Sequence, residues 1–246
     1  MMNPNLVSAH MFLYYGETGE YVLDTVSKFY NGSLYLSLVE NNPNNDFLLN
    51  IAKENFEDIR VVYVNNCGTD QYGFYNSFKY DFEKTPWIFY CHDKHPNKRG
   101  WLQQMLSVYK DMSEDILTQH NSGIISSEKY KRQQPSFEEL LSTYASYSYE
   151  YRKEIVQSMH TLIWLHELEK ILLSKYDIGN KDFKCPTFSA GNIFLIRRGV
   201  VEKSHGCVYE QFFNHGVYRT DGEVEHGLER FYFYVSQCLG YENIYI

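Results

Sequence analysis

The chain begins its regular pattern with an apolar, aromatic run, AHMFLYY at 9–15, which Gly16 stops. Beyond it Tyr21, Val22, Val26 and Phe29 recur at helical spacing, so a strand followed by a helix is predicted. The same unit then repeats. SLYLSLVE at 33–40 alternates as a strand does, and NNDFLLNIAKENF supplies a helix with Asp46 as its expected N-cap. IRVVYVNN is a third strand, TDQYGFYNSFKYDF a third helix, and PWIFYCHDKH at 86–95 a fourth strand after a proline break. From Gly100 to about Tyr176 the pattern is helical, with short breaks at NSGIISS and QQP. Ile155, Met159, Leu162, Ile163, Leu165, Leu168, Ile171 and Leu172 form its apolar stripe. FKCPTFSAGNIFLIRRGVV reads as a strand returning to the sheet. TDGEVEHGLERFYFYVSQCLGY closes the chain as an amphipathic helix capped by Thr220 or Asp221.

Strands alternating with helices imply βαβ crossovers, hence an α/β domain built on a mostly parallel sheet with flanking helices and a helical insertion. Ligands of such sheets bind beyond the carboxyl ends of the strands. Three segments occupy those ends: YYGETG after the first strand, NNCGTD after the third and CHDKHP after the fourth.

Composition narrows the partners. With 246 residues, 43% of them hydrophobic, the chain can bury a substantial core as one domain spanning 1–246. A net charge of −8 argues against a nucleic-acid partner held by phosphate neutralisation, while leaving room for one local anion site. The five cysteines, at 67, 91, 185, 207 and 238, include no CxxC pair and suggest neither a disulfide framework nor a cysteine zinc site. No segment approaches the roughly 20 apolar residues of a membrane span, and no leader pattern precedes the first strand, so a cytoplasmic location is expected. The 23 tyrosines suit stacking on sugars and bases, but they equally fill half-buried positions.

Four clusters carry candidate chemistry. Asn66, Gly68 and Asp70 read either as a strand-to-helix turn or as backbone kept open for a ligand, with Asp70 reaching a sugar hydroxyl. His92, Asp93, Lys94 and His95 offer metal ligands, or a lysine and a histidine to neutralise a diphosphate. Neighbouring strand residues point to opposite faces, which works against a shared metal. The His92–Asp93 pair also leaves open a metal-dependent phosphohydrolase. In WLHELEK, His166 has no histidine at the fourth position after it, so with His160, Glu167 and Glu169 it reads as a solvated helix face. On the last helix Asp221, Glu225, His226, Glu229 and Arg230 read as dipole compensation and pairing, or as acid–base chemistry on a hydroxyl.

Taken in order, NxGxD after a strand, a short His-x-Lys segment after the next, Trp101 just beyond, an AGNxF strand and a final DGxxxHxxER helix resemble one family. It is the glycosyltransferase family that includes rhamnan synthesis protein F, and the resemblance runs from about residue 9 to 240. Asn66, Gly68 and Asp70 match its NxGxD. His92 and Lys94 match its His-Thr-Lys segment, with Asp93 in place of the threonine and His95 in place of the second basic residue. Ala190, Gly191 and Phe194 match its AGxxF strand, Arg197 lies near its arginine, and Asp221, Gly222, His226, Glu229 and Arg230 match its last motif.

The resemblance implies a GT-A-like, nucleotide-sugar-dependent transferase of polysaccharide biosynthesis. Residues 1–99 would form the nucleotide-sugar-binding half, 100–180 the helical segment and 181–246 the acceptor and catalytic half. Tyr14 and Tyr15 would stack on the base; Asn66, Gly68, Asp70, His92, Lys94 and Gly191 would bind the donor. Asp221 or Glu229, with His226, would handle the acceptor proton. No plain DxD stands at the expected strand end, which reads HDKH. Either Asp93 and His95 hold manganese or magnesium, or Lys94 and His92 carry the diphosphate charge, the arrangement that needs fewer converging side chains. The partners implied are a nucleoside diphosphate sugar and a glycan acceptor. A catalytically silent glycan- or nucleotide-binding module is the alternative.

Overall fold

The computed structural model describes residues 1–65, 70–119, 121–146, 149–178, 186–213 and 224–246. Its elements follow the chain as β1 (Val7–Leu13), α1 (Gly16–Val26), β2 (Leu34–Val39), α2 (Asn45–Asn55), β3 (Ile59–Val64), α3 (Asp70–Phe78) and β4 (Trp87–His92). There follow α4 (Arg99–Lys110), α5 (Asp115–Gln119), β5 (Ser122–Ser126), β6 (Lys131–Gln133), α6 (Phe137–Ser146) and the long α7 (Tyr149–Tyr176). The chain ends through β7 (Thr187–Ser189), β8 (Phe194–Arg197), α8 (Arg198–Gly206), α9 (Val224–Cys238) and β9 (Glu242–Tyr245).

A seven-stranded sheet in the order β3-β2-β1-β4-β8-β5-β9 divides the molecule, and β6 with β7 forms a separate two-stranded ribbon. β1 pairs in parallel with both β2 and β4, and β2 with β3. β8 runs antiparallel to both its neighbours, and β5 pairs in parallel with β9, so β8 alone opposes the common direction. This is an α/β fold with a mostly parallel central sheet flanked by helices. Among the described residues no helix is long and apolar enough to cross a membrane.

Strand alternation sends each sheet residue to one of two cores. On β4, Ile88 and Tyr90 join Phe74, Leu165, Leu168, Phe194 and Tyr232, from the side covered by α3, α7 and α9. Trp87, Phe89 and Cys91 join Val22, Leu48 and Leu102 on the side of α1, α2 and α4. Each buried aliphatic or aromatic side chain of this kind contributes about 1.5–3 kcal/mol. Parity on β4 therefore decides where its last polar residues go, and the site depends on it.

The face of β1 towards α3 carries a buried polar group. His10 Nε2 lies 3.1 Å from Asp81 Oδ2 and its Nδ1 2.9 Å from Ser77 Oγ. Ser8 Oγ donates to Asp81 at 2.9 Å, and Arg198 donates to the same carboxylate at 2.6 Å. Burial pushes the Asp81 carboxyl up, but hydrogen bonds and charge from His10 and Arg198 outweigh it and hold it below the ordinary carboxylate range. Ser77, His10 and Asp81 contain the residue types of a hydrolase triad. All three are buried, with His10 stacked on Tyr35, and they tether α3 to β1 and α8.

Three sequence expectations are revised here. The segment read as a break in a helical insertion, SGIIS, is β5, a buried strand of the main sheet. Three of its five residues are Ser or Gly, so it lacks an apolar run. Gly123 is required because a Cβ there would lie 2.0 Å from Ser236 Oγ. Ile124 and Ile125 serve opposite cores, as a central strand demands. The start of α2 is capped at Asn44 without a side-chain hydrogen bond, and Asp46 falls inside the first turn, where the helix dipole still favours it. On α7 Ile163 is exposed, unlike the rest of the predicted stripe, whose other members are buried or half-buried. The expected cap of α9 at Thr220 or Asp221 lies outside the described residues.

Candidate active site

At the carboxyl ends of β1 and β4 the alternation continues past the sheet. His92 turns to the α3 and α9 side, and Asp93 to the α1 and α2 side. On the His92 side, Asp70 opens α3 and its Oδ2 accepts hydrogen bonds from Tyr90 Oη at 3.0 Å and Asn192 Nδ2 at 2.8 Å, with His92 Nε2 3.5 Å away. Burial pushes the Asp70 carboxyl up, but the charges of His92 and Lys94 and the Tyr90 and Asn192 hydrogen bonds outweigh it and hold it below its ordinary value. Burial takes the His92 imidazole down to about 4, so at neutral pH the ring is uncharged.

The AGN sequence between β7 and β8 supplies the opposite wall. Gly191 and Asn192 have φ of +109° and +55°, left-handed values that glycine and asparagine tolerate best. That turn exposes both polar groups of Gly191. Its N–H donates to Glu229 Oε1 at 2.8 Å, and its carbonyl accepts from His92 Nε2 at 2.9 Å. The Trp101 ring packs directly on it: a Cβ at residue 191 would stand 2.1 Å from the indole. Trp101 also lies 4.9 Å beneath Lys94 Nζ. Burial lowers the Lys94 ammonium from its ordinary range against the pull of Asp70, Glu229 and Asp93, while the neighbouring Lys98 lowers it further.

Glu229 is buried on α9, its second oxygen 3.1 Å from Arg230 Nη1. Arg230 is held in turn by the His226 carbonyl and Gln134 Oε1, both at 2.7 Å. Hence α3, β4, α4, the β7–β8 turn and α9 bring together Asp70, His92, Lys94, Gly191 and Glu229 from the sequence prediction. His226 is half-buried one turn before Arg230. Tyr90 and Asn192 complete the cluster and were not foreseen. Tyr90 reads as core in a buried strand, and the only signal for Asn192 was its place after glycine.

Asp93 sits elsewhere. Its Oδ2 accepts from the backbone N–H of Tyr14 at 2.9 Å and of Tyr15 at 2.6 Å. Burial pushes its carboxyl up to about 7, against those two hydrogen bonds and the Lys94 charge. His95, paired with it in the metal prediction, is exposed, accepts from Asn97 N–H at 3.4 Å and meets Tyr15 edge-on at 5.4 Å. Among the described residues no three His, Cys, Asp or Glu side chains gather to hold a metal ion. Tyr14 and Tyr15 are half-buried and edge-to-face at 5.1 Å, at the mouth of β1. Asn66, Gly68 and Asp221 lie outside the described residues. On α7, His166 pairs with Glu169 at 3.6 Å and Lys170 with Glu167 at 2.7 Å, as a solvated face does, although Glu169 also accepts from Tyr234 Oη at 2.7 Å.

The chain is similar over its whole length to 4-diphosphocytidyl-2C-methyl-D-erythritol synthase from Anaerococcus prevotii, at 10% identity and a TM-score of 0.45, covering 89% of that chain. It is also similar to the apo form of mouse xyloside xylosyltransferase 1, at 10% identity and a TM-score of 0.35, covering 97% of this chain and 84% of that one. At these scores neither neighbour bears on the chemistry. No curated protein matches the chain. The family described as rhamnan synthesis protein F matches residues 1–241, nearly the whole length that holds the cluster around Asp70, Lys94, Gly191 and Glu229, and the chain belongs to that family.

Proposed function

We propose that the protein transfers a sugar from a nucleoside diphosphate donor to a hydroxyl of a growing glycan. Family membership supplies the coarser statement, a glycosyltransferase-type role in glycan synthesis. The observation that carries the finer one is Lys94. It is a desolvated cation resting on Trp101 at the carboxyl end of a parallel strand, where such sheets take their ligands.

In the proposed reaction the acceptor oxygen attacks the anomeric carbon and the bond from that carbon to the diphosphate oxygen breaks. The nucleoside diphosphate leaves with the bond pair. Lys94 meets the growing charge, the kind of electrostatic stabilisation that contributes most to many enzymes. His92, uncharged and donating to the Gly191 carbonyl, orders the turn instead of neutralising phosphate. Asp70 bonds a hydroxyl of the ribose or donor sugar. Asn192 Oδ1, buried and without a hydrogen-bond donor among the described residues, is an acceptor suited to the same ligand. Tyr14 and Tyr15 stack on the base. In an inverting reaction Asp221 takes the acceptor proton, because Glu229 already serves Gly191 and Arg230. Asp93 is occupied by the Tyr14 and Tyr15 amides and His95 is exposed, so no step is routed through manganese or magnesium.

One observation favours a second reading, a binding module that does not transfer: both oxygens of Glu229 are engaged within the fold. The test is nucleoside diphosphate release from a panel of UDP-, GDP- and dTDP-sugars, with glycan acceptors, in manganese or in EDTA. Donor-selective release supports transfer. Tight binding of a nucleotide sugar without release, whatever the acceptor, supports the module, and absence of both refutes the proposal.

A further inference from the structure

Asp93, which parts from His92 at the end of β4, has an occupation of its own in the structure. One carboxylate oxygen takes the backbone N–H groups of two successive residues, Tyr14 and Tyr15, at 2.9 and 2.6 Å. The carboxyl is buried, and two backbone N–H groups converge on its one oxygen. The same short loop is gripped from its other side. The Tyr14 carbonyl accepts from Asn42 Nδ2 at 2.7 Å and Asn44 Nδ2 at 3.1 Å, and Asn42 in turn accepts from the Asn44 N–H at 3.0 Å. One residue beyond Asp93, the Lys94 carbonyl accepts from Thr18 Oγ1 of α1 at 2.6 Å. The segments after β1 and β4 are thus stitched together by side-chain bonds where the parallel ladder between them ends.

We propose that Asp93 is a positioning residue that fixes the Tyr14–Tyr15 loop in register with Lys94, so that the nucleoside and diphosphate subsites stand at a set separation. Asp93 does this as a hydrogen-bond acceptor for backbone, in place of a metal-ligand role. The subsites rest on the nucleotide-sugar reading above; the clamp itself does not.

Two substitutions separate the roles. Asp93→Asn keeps an acceptor oxygen of the same reach, whereas Asp93→Ala removes it. Nucleosides and nucleoside diphosphates of uracil, guanine and thymine are titrated against each protein in manganese and in EDTA. For the base that wild type binds, Asp93→Asn retains both affinities within about threefold. Asp93→Ala weakens both by about tenfold or more, the size expected when two buried hydrogen bonds of about 1 kcal/mol each are lost. If Asp93 holds a metal, both variants lose diphosphate affinity, keep nucleoside affinity and respond less to manganese, and the proposal is overturned. Should Asp93→Ala not fold, Asp93→Asn alone still distinguishes these results. Amide hydrogen exchange at Tyr14 and Tyr15 is read in parallel without ligand. Protection retained in Asp93→Asn and lost about tenfold in Asp93→Ala supports the clamp even if wild type binds no nucleotide, which would sink only the functional reading. Unchanged protection in Asp93→Ala overturns the clamp.

Discussion

Replacing Gly191 by alanine strikes the turn on which His92, Glu229 and Trp101 meet, and its cost has two separable parts. The first is backbone. At φ +109° a residue with a Cβ carries strain of about 1–3 kcal/mol. The second is steric. The new methyl would lie 2.1 and 2.3 Å from two atoms of the Trp101 ring and 3.1 Å from Met105 Sδ. The indole must therefore move, disturbing its edge-on contact with Tyr130 at 5.0 Å and its place beneath Lys94. Overpacking of this kind costs about 1–3 kcal/mol. Together the expected loss is about 2–6 kcal/mol, a large share of the ~5–15 kcal/mol that holds a domain folded. Urea unfolding read by far-ultraviolet circular dichroism measures it, with an unchanged slope required before the midpoint shift is converted. A double-mutant cycle with Trp101→Ala divides the two parts. Removing the indole should relieve the steric share and leave the backbone share, a coupling of about 1–3 kcal/mol. Loss of under about 0.5 kcal/mol in Gly191→Ala refutes both the left-handed turn and the ring contact, whereas strict additivity with Trp101→Ala refutes the ring contact alone.

Three further outcomes are expected. Lys94→Ala should weaken nucleoside diphosphate binding about 10- to 100-fold and leave the nucleoside nearly unaffected, since a charge-assisted bond contributes about 1.5–3 kcal/mol; equal losses in calorimetry would remove its phosphate role. Asp221→Asn should cut kcat by about 100-fold or more at little change in donor KM, the range for general-base help, whereas Glu229→Gln should act mainly through stability, seen as a lower urea midpoint. The third concerns pH. Asp93 has a folded value of about 7, above the 3.8 of a free carboxyl, so the native state holds the extra proton between those values. Its contribution is therefore fully present below about pH 4 and is lost as pH rises through 7, by an amount of order 4 kcal/mol. Asp93→Asn, measured by urea unfolding at pH 5 and pH 8, should gain on wild type at the higher pH; a constant difference would refute the shift.

Much of the fold was readable because its physics is local. β1, β2 and β4 are buried on both faces and appear as apolar runs, and α1, α2, α4 and α9 show one apolar side. β5 was not readable, since Ser122, Gly123 and Ser126 leave it only two apolar residues, and Gly123 suits the strand because Ser236 and Tyr241 crowd the place where its side chain would go. β6, the exposed KRQ, gave no apolar signal at all.

The site divides along the same line. Motif order picked out Asp70, His92, Lys94, Gly191 and Glu229, and the fold does gather them. Parity foretold that His92 and Asp93 would part, because successive strand residues face opposite ways. What parity leaves open is where each arrives. Asp93 finds amides 79 and 78 residues upstream only because β4 lies beside β1, and Asn192 reaches an Asp70 122 residues away only because β8 lies beside β4. Strand order is a global property, paid for by two cores and written in no short motif. A substitution that moved β8 from β4 without touching a site residue would therefore dissolve the Gly191–His92 and Asn192–Asp70 bonds together. The Asp93 clamp would survive, because it hangs on β1 and β4, with Thr18, Asn42 and Asn44 beside them, and not on β8.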